Sequence, residues 1–193
     1  MAEITGVLLA AGFSSRFGSS KLLYDIDNQP LIARSAAALS PCDRVIAVVR
    51  ADDTAVQSVL HTLGIDCVIN PQPERGIGHS IACAVQATSR SAGWCLLPAD
   101  MPCIMASTTS KIVDSLGAGA ALAAPFYHGQ RGHPVAFSHS FADALSTLDG
   151  DTGARYIVEQ NAGQLISIDT EDAGVLADID TAMDLKKQRI TNN

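Results

Sequence analysis

Short apolar runs alternate along this chain with segments whose apolar residues have helical spacing. Residues 4–11 form a run that is apolar except for Thr5, with a first strand predicted over residues 3–9, and residues 45–49 have the sequence Val-Ile-Ala-Val-Val. Apolar runs of this length that are rich in β-branched residues predict buried strands. Further strands are predicted over residues 65–69, 94–97, 120–124, 134–137 and 165–168.

Helices are predicted between these strands. Pro30 suits the first turn of a helix over residues 31–39, and Asp52 or Asp53 can cap a helix that ends near His61. Other helices are predicted over residues 80–89, 107–116, 140–148, 154–160 and 181–188. Alternating strands and helices predict a three-layer α/β fold with a mainly parallel sheet. Because no repeat or linker is visible, we expect residues 1–193 to form one domain.

Composition and charge exclude several classes of protein. The formal net charge is -7, and polynucleotides and anionic membranes both require a basic face. The apolar run at residues 4–11 lacks a basic flank, and the uncharged stretch at residues 115–130 is interrupted by glycine and proline, so neither a signal peptide nor a membrane span is expected. The five cysteines form no C-x-x-C pair, which favours reduced thiols in the cytoplasm.

The loop after the first predicted strand combines glycines with two cations. Gly12, Arg16, Gly18 and Lys21 follow the spacing Gly-x3-Arg-x-Gly-x2-Lys. Glycine lets the backbone approach a ligand closely, and successive backbone N–H groups attract anions. The spacing differs from both the P-loop and the dinucleotide-binding pattern. Two interpretations are therefore open at this point, a polyphosphate cradle and an ordinary surface loop.

Two later segments also follow predicted strands, so a parallel sheet would bring them to the same edge. Asp100 lies between Pro98 and Pro102, where a rigid carboxylate could hold Mg²⁺ opposite a phosphate cradle, although a turn-forming Asp is the alternative. Gly78 and Ser80 precede a predicted helix, whose first N–H groups favour polar or negative ligand atoms. Ser80 could instead serve as the cap of that helix.

The last third of the chain offers further candidates. Arg131 and His133 lie in a glycine turn, and Arg is a natural fork for phosphate, whereas the alternative is a solvated hairpin turn. Asp180 and Thr181 are best explained as caps of the last predicted helix. Asp178 has no capping role that the sequence suggests.

With these residues assembled, the chain resembles the MobA-like NTP transferases, and within that family the molybdenum cofactor cytidylyltransferases. The family signature L-x-x-G-x3-R-x-G-x2-K is matched at Leu9, Gly12, Arg16, Gly18 and Lys21. The metal-binding segment D-M-P of the family is matched by Asp100-Met101-Pro102. The segments at residues 76–80, 131–134, 150–155 and 178–181 follow in the family order, so the likeness covers essentially the whole chain.

The resemblance implies a three-layer αβα, Rossmann-like nucleotidyltransferase fold. It also implies an enzyme that transfers CMP from CTP to the terminal phosphate of molybdopterin and releases pyrophosphate. Leu-Ala-Ala-Gly at residues 9–12 resembles the CTP users of the family, whereas GTP users carry Leu-Ala-Gly-Gly. Ala11 is therefore the residue that favours CTP.

The resemblance also assigns roles to individual residues. It implies that the nucleotide is bound by Leu9, Ala10, Ala11, Gly12, Arg16, Lys21, Gly78 and Ser80. Arg16, Lys21 and Asp100 would be catalytic, and Arg131 and His133 would bind the acceptor substrate. Asp100, together with Asp178, would hold Mg²⁺.

Two alternatives remain at this stage. One is a related nucleotidyltransferase that uses GTP or a different acceptor, namely a sugar, polyol or lactyl phosphate. The other is a carrier that binds the finished molybdopterin cofactor without catalysis. The expected partners are CTP, a molybdopterin-type small molecule and a recipient molybdoenzyme, with no nucleic acid and no membrane.

Overall fold

The computed structural model describes residues 3–13 and 21–179. In chain order, the described strands are β1 (Ile4–Leu9), β2 (Asp25–Ile26), β3 (Gln29–Pro30), β4 (Arg44–Arg50), β5 (Asp66–Asn70), β6 (Gly93–Pro98), β7 (Leu122–Tyr127), β8 (Gln130–Arg131), β9 (Val135–Ser138) and β10 (Leu165–Asp169). The described α-helices are α1 (Leu31–Ala37), α2 (Thr54–Thr62), α3 (Ile77–Ala87), α4 (Ala106–Gly117), α5 (Ala142–Ser146) and α6 (Arg155–Gln160). The helix expected over residues 181–188 lies outside the described residues.

The main sheet has the strand order β5-β4-β1-β6-β9-β7-β10, with β8 paired to β7. The pairs β1–β4, β1–β6, β4–β5 and β7–β10 are parallel, whereas β9 runs antiparallel to both β6 and β7. In the register, Leu9 stands opposite Val48 on one side and Pro98 on the other. The carboxyl ends of β4, β1 and β6 therefore meet at one edge.

Two apolar cores cover the two faces of the sheet, because successive residues of a strand point to opposite sides. Leu8 belongs to one core with residues of α1, α2 and α4, and Val7 belongs to the other with residues of α3, α5 and α6. The sheet is thus sandwiched between two helical layers. This confirms the three-layer αβα fold expected from the alternating pattern.

Local chemistry explains the main differences from the predicted boundaries. Asp53 caps α2 by accepting a hydrogen bond from the Val56 amide, as expected. Helix α3 begins at Ile77, because Gly76 precedes it with a φ of 84° that glycine adopts readily. Ser80 is consequently an interior helical residue, and its prediction as the helix cap is wrong.

Every helix of the described part falls short of the length and apolar character that crossing a bilayer requires.

Candidate active site

The first turn after β1 begins at the edge where the parallel strands end. The Ala10 amide donates to the Val48 carbonyl at 2.8 Å, and the Leu9 carbonyl accepts from the Ala99 amide at 3.0 Å. Ala10 and Ala11 are buried, with Ala11 in the core beneath α3, whereas Gly12 is exposed and has open space beside it. The turn is therefore anchored to both neighbouring strands up to Gly12. Arg16 and Gly18 of the signature lie outside the described residues.

Lys21 and Asp100 form an ion pair at this edge. Lys21 opens a short 3-10 turn, and its Nζ atom lies 2.9 Å from Oδ2 of Asp100, 79 positions later in the chain. The side chain of Lys21 is only 9% exposed and that of Asp100 is 26% exposed. Such partial burial reduces solvent screening, so the attraction exceeds that of a surface pair. The structure thus brings together the last cation of the signature and the carboxylate of the D-M-P segment.

A cavity of about 350 Å³ opens beside Asp100. Its lining consists of Pro98, Asp100, Met101, Arg131, Gly132, His133, Val175, Leu176 and Asp178. Arg131 and His133, the two predicted acceptor ligands, therefore share one cavity with the predicted metal ligands Asp100 and Asp178. A cavity with a guanidinium, an imidazole and two carboxylates can bind a phosphorylated ligand and a cation side by side.

The hairpin formed by β7 and β8 carries Arg131 into this cavity. Its two-residue loop has positive φ angles at His128 (48°) and Gly129 (77°), the pattern of a type I′ turn. The Gly132 amide then donates to the Pro125 carbonyl, and a Cβ on Gly132 would collide with the Val175 carbonyl oxygen. The sequence left open whether this segment is a binding turn or a hairpin. The structure shows a hairpin, and that hairpin also places Arg131 at the cavity.

His133 lies in an environment that disfavours its charged form. Burial lowers the pKa of the imidazole below its usual value, and the nearby Arg131 guanidinium lowers it further. Asp100 and a hydrogen bond to the Leu96 backbone act in the opposite direction and are the weaker influences. The neutral form of the ring is consequently favoured at pH 7, and its Nδ1 atom is sealed from solvent with no hydrogen-bond partner among the described residues.

Asp100 and Asp178 are the two carboxylates predicted to hold a metal ion. The two residues line one cavity, and the Ile179 amide donates to the Asp100 carbonyl at 2.9 Å, which ties the two segments together. Among the described residues, no group of three or more His, Cys, Asp or Glu side chains is arranged to hold a metal. Two carboxylates nevertheless fit Mg²⁺, which takes one or two protein carboxylates and completes its shell with water and substrate phosphates. The Lys21 ammonium on Asp100 shows that this position accepts positive charge.

Gly78 and Ser80 lie at the start of α3, and both already contact other parts of the protein. The Gly78 amide donates to the Gly150 carbonyl at 2.8 Å, and Ser80 Oγ accepts from the Asn70 side-chain amide at 3.0 Å. A Cβ on Gly78 would approach the Asp149 backbone to 2.7 Å. The backbone of residues 149–150 therefore occupies the space beside Gly78 that a missing side chain leaves open. The nucleotide contacts of Gly78 and Ser80 stay predictions.

Asn70 and Arg50 are polar residues at strand ends to which the sequence pattern assigned no role. Asn70 ends β5, is 1% exposed, and accepts hydrogen bonds at Oδ1 from the Gln72 amide at 2.9 Å and from His79 Nδ1 at 2.8 Å. Arg50 ends β4 and donates to the Gly12 carbonyl at 2.8 Å. A polar residue that closes an apolar strand at the ligand edge is the signal that could have found both.

The cysteines supply no nucleophile to this site. All five are free. Burial raises the pKa of Cys67, Cys83 and Cys103, and a hydrogen bond with Cys42 together with burial raises that of Cys95. A thiol needs a lowered pKa to act as a thiolate at neutral pH. The described chemistry of the site is therefore that of cations, carboxylates and backbone amides.

Known proteins resemble this chain over nearly its full length. Nicotine blue oxidoreductase of Paenarthrobacter nicotinovorans is 27% identical over 188 residues, which cover 92% of each chain. Molybdenum cofactor cytidylyltransferase of Escherichia coli (strain K12) is 28% identical over 196 residues, which cover 99% of each chain. The crystal structure of Rv0371c from Mycobacterium tuberculosis H37Rv superposes with a TM-score of 0.82 at 26% identity, covering 100% of this chain and 98% of that one.

The family model of the MobA-like NTP transferase domain matches residues 6–165. This range begins within β1 and contains the signature loop, the Lys21–Asp100 pair and the hairpin that carries Arg131. The fold, the residues at the sheet edge and this match agree, and the chain is a nucleotidyltransferase that belongs to the MobA-like NTP transferase family.

Proposed function

We propose that this enzyme transfers CMP from CTP to the terminal phosphate of a molybdopterin-type acceptor and releases pyrophosphate. The observation that carries the proposal is the contact between Lys21 and Asp100 at 2.9 Å, next to a cavity that also holds Arg131 and His133. This arrangement offers a cation to a triphosphate, a carboxylate to a metal, and a second cation to a phosphorylated acceptor. We further propose that residues 1–193 act as one domain in the cytoplasm.

In the proposed reaction, an oxygen of the acceptor phosphate attacks the α-phosphorus of CTP. A new P–O bond forms, the bond between the α-phosphorus and the bridging oxygen breaks, and pyrophosphate leaves with that electron pair. Lys21 would bind the triphosphate and the departing pyrophosphate, and Arg131 would hold the acceptor phosphate. No general base is needed, because the attacking phosphate is already ionised at neutral pH. Phosphoryl transfer then requires mainly positioning and charge neutralisation.

The remaining roles follow the family signature. Arg16 would join Lys21 on the triphosphate, and Leu9, Ala10, Ala11 and Gly12 would line the nucleotide, with Gly78 and Ser80 at the start of α3. The neutral ring of His133 would contact the acceptor without adding charge, while its hydrogen bond to the Leu96 backbone holds it in place.

Asp100 and Asp178 would hold the divalent metal. Bound Mg²⁺ supplies neutralisation of the charge that develops between attacking and leaving oxygens. Support for a divalent ion comes from the M. tuberculosis protein Rv0371c, which has been solved in complex with manganese. We propose Mg²⁺ for this chain because two carboxylates with phosphate ligands suit its coordination.

The choice of CTP and of the acceptor has two supports. Ala11 is 4% exposed, and its methyl group packs in the core with Val48 and Ile81, so replacement by glycine would change the shape of the turn. The E. coli relative that matches along 99% of this chain is named for cytidylyl transfer to the molybdenum cofactor. Both point to the same reaction, with a molybdoenzyme as the recipient of its product.

A thermal-shift comparison of CTP, GTP, ATP and UTP, each with Mg²⁺, tests the nucleotide. A ligand that binds the native state at 100 times its Kd stabilises it by about 2.7 kcal/mol. We expect CTP to raise Tm the most and chelation of the metal to remove most of the rise. A larger rise with GTP would contradict the choice of CTP, and no rise with any of the four would contradict the nucleotide site.

Replacement of Asp100 tests the catalytic site. Asp100→Ala is expected to reduce CTP-dependent pyrophosphate release by about 10²-fold or more, because it removes a metal ligand beside the developing charge. Asp114→Ala, at an exposed position of α4, is the matched control and should leave turnover unchanged. Near-normal turnover in a folded Asp100→Ala protein would rule out the role given to this carboxylate.

An acceptor panel separates the remaining alternatives. Pyrophosphate release with molybdopterin but not with sugar, polyol or lactyl phosphates is the expected outcome. Release only with one of the other acceptors would place the enzyme in another branch of the family. Calorimetric binding of CTP and Mg²⁺ without turnover on any acceptor would instead favour the carrier.

A further inference from the structure

Arg50 contacts the turn after β1 from the end of the neighbouring strand. Its Nη1 donates to the Gly12 carbonyl at 2.8 Å, and its guanidinium carbon lies 5.1 Å from the centroid of the Phe13 ring. On its other side, Nε donates to the Asp52 carboxylate at 3.0 Å and Nη2 to that of Asp53 at 3.4 Å. The side chain of Arg50 is only 17% exposed. One guanidinium thus joins the turn after β1 to the turn before α2.

Asp52 and Asp53 compensate the charge of Arg50. The Arg50 hydrogen bond keeps the pKa of the Asp52 carboxyl below its usual range, so Asp52 is ionised at neutral pH. Asp53, which is 12% exposed, is fixed in turn because it accepts a hydrogen bond from the Val56 amide as the cap of α2. A guanidinium between two acidic side chains has little net charge to offer a phosphate. The contribution of Arg50 to a nucleotide site is therefore one of geometry.

The Arg50 hydrogen bond is a long-range contact that holds Gly12. Within the described part of the chain, a Cβ built on Gly12 would meet no atom within 4 Å, so packing against those residues does not fix the turn at this point. The Arg50–Gly12 bond is charge-assisted and shorter than the bond to Asp53, and the planar fork of Arg holds all three acceptors in fixed directions. The orientation of the Gly12 peptide group is consequently set by β4.

We propose that Arg50 is a positioning residue of the nucleotide site. By holding the Gly12 carbonyl, it fixes the orientation of the Gly12 peptide group, which the proposed function places in the nucleotide site. The inference rests on the proposed function, and it assigns no contact between Arg50 and the nucleotide. A 1 Å misplacement of a binding group can cost about 10²-fold in rate, which gives such a residue measurable consequences.

Replacement of arginines at the two ends of β4 tests this role. Arg50→Met removes the donors and keeps an apolar stem, whereas Arg44→Met removes the exposed pair with Asp66, 2.6 Å long, at the opposite edge of the sheet. We expect Arg50→Met to weaken calorimetric binding of CTP and Mg²⁺ by about tenfold, or 1.4 kcal/mol. Arg44→Met should bind as the wild type does, and Arg50→Lys, which can reach only part of the acceptor set, should be intermediate.

A second measurement needs no nucleotide. Hydrogen–deuterium exchange in a peptide covering residues 7–13 should be faster in Arg50→Met than in the wild type and unchanged in Arg44→Met. Reduced Tm with unchanged CTP affinity and unchanged exchange would show a purely structural arginine and overturn the inference. If Arg50→Met does not fold, the same two comparisons are made with Arg50→Lys.

The outcomes distinguish this inference from the proposed function. If the wild type binds no nucleotide, the proposed function fails, and the nucleotide role of Arg50 fails with it. If the wild type binds CTP and both Arg50 variants bind it equally well, the proposed function stands and only the role of Arg50 is lost.

Discussion

At the scale of single residues, the Lys21–Asp100 pair determines which cation contacts the Asp100 carboxylate before substrate binds. The ammonium contacts the carboxylate oxygen that the proposed metal would need. One oxygen cannot serve both cations at full strength, because like charges at this distance repel. Nucleotide phosphates would draw Lys21 away from Asp100 and free the carboxylate for the metal. Binding of nucleotide and metal is therefore expected to be cooperative.

Lys21→Met tests this competition. The substitution removes the ammonium and keeps the length of the stem, so we expect Mn²⁺ to bind the nucleotide-free variant about tenfold more tightly than the wild type. Titration followed by Mn²⁺ electron paramagnetic resonance measures the affinity directly. Lys111→Met, at an exposed position of α4, is the control that changes net charge equally. Equal or weaker Mn²⁺ affinity in Lys21→Met would show that the two cations do not compete.

His133 gives the molecule a predictable dependence on pH. Because its pKa in the folded state is lowered by burial and Arg131, the unfolded state binds more protons once the pH falls below about 6.5, the usual value for His. Its contribution to stability is therefore complete above pH 6.5 and is lost as pH falls toward the lower, folded pKa. Urea unfolding of wild type and His133→Gln should be measured between pH 7.5 and pH 5. The free energy of unfolding of the wild type should fall relative to that of the variant as the pH is lowered.

A difference in stability between wild type and His133→Gln that stays constant from pH 7.5 to pH 5 would contradict the burial of a neutral imidazole.

At the scale of elements, two loops from distant parts of the chain form one unit beside the site. Arg75 donates to the Asp149 carboxylate from both Nε, at 3.0 Å, and Nη2, at 2.7 Å. The Gly150 amide donates to the Arg75 carbonyl at 2.8 Å, and the Gly78 amide returns a bond to Gly150. The start of α3 is thus fixed by a turn far along the chain, since Arg75 and Asp149 are 74 positions apart.

Gly78→Ala should break this docking. The added methyl would approach the Asp149 backbone to 2.7 Å, where no flexible side chain can move aside, and overpacking of this kind costs about 1–3 kcal/mol. Gly117→Ala is the matched control, because that Cβ meets nothing within 4 Å in the last turn of α4 and should stabilise by about 0.5–1 kcal/mol. Urea unfolding gives both values. Equal effects of the two substitutions would disprove the close contact.

The bounds of β4 follow from the local sequence pattern, whereas the start of α3 does not. Strand β4 was predicted from its β-branched run within one residue of its end, since that run can only be buried in a sheet. Helix α3 starts earlier than Ser80 because the docked loop, and not a serine cap, satisfies its first amides. The partner of that helix start is too distant in sequence for any local pattern to reveal.

At the scale of the whole molecule, the position of β9 shapes the site. This strand is inserted antiparallel between β6 and β7, so the segment that precedes it, with Arg131 and His133, returns to the edge where Asp100 follows β6. The apolar residues of β9 have the same pattern as those of a parallel strand. Its direction could therefore be known only from the arrangement of the complete sheet.

The sequence by itself determined the alternation of strands and helices, the three-layer fold and the loop chemistry of the family, because apolar periodicity and short motifs are local properties. Tertiary structure alone decided which polar groups from distant parts of the chain meet. Arg50 and Gly78 direct their hydrogen bonds to partners 38 and 72 positions away, and Lys21, Asp100, Arg131 and Asp178 gather at one sheet edge. The physical reason is that strand order sets which distant loops meet, and the hydrogen bonds between those loops use groups that a motif alone would assign to substrate.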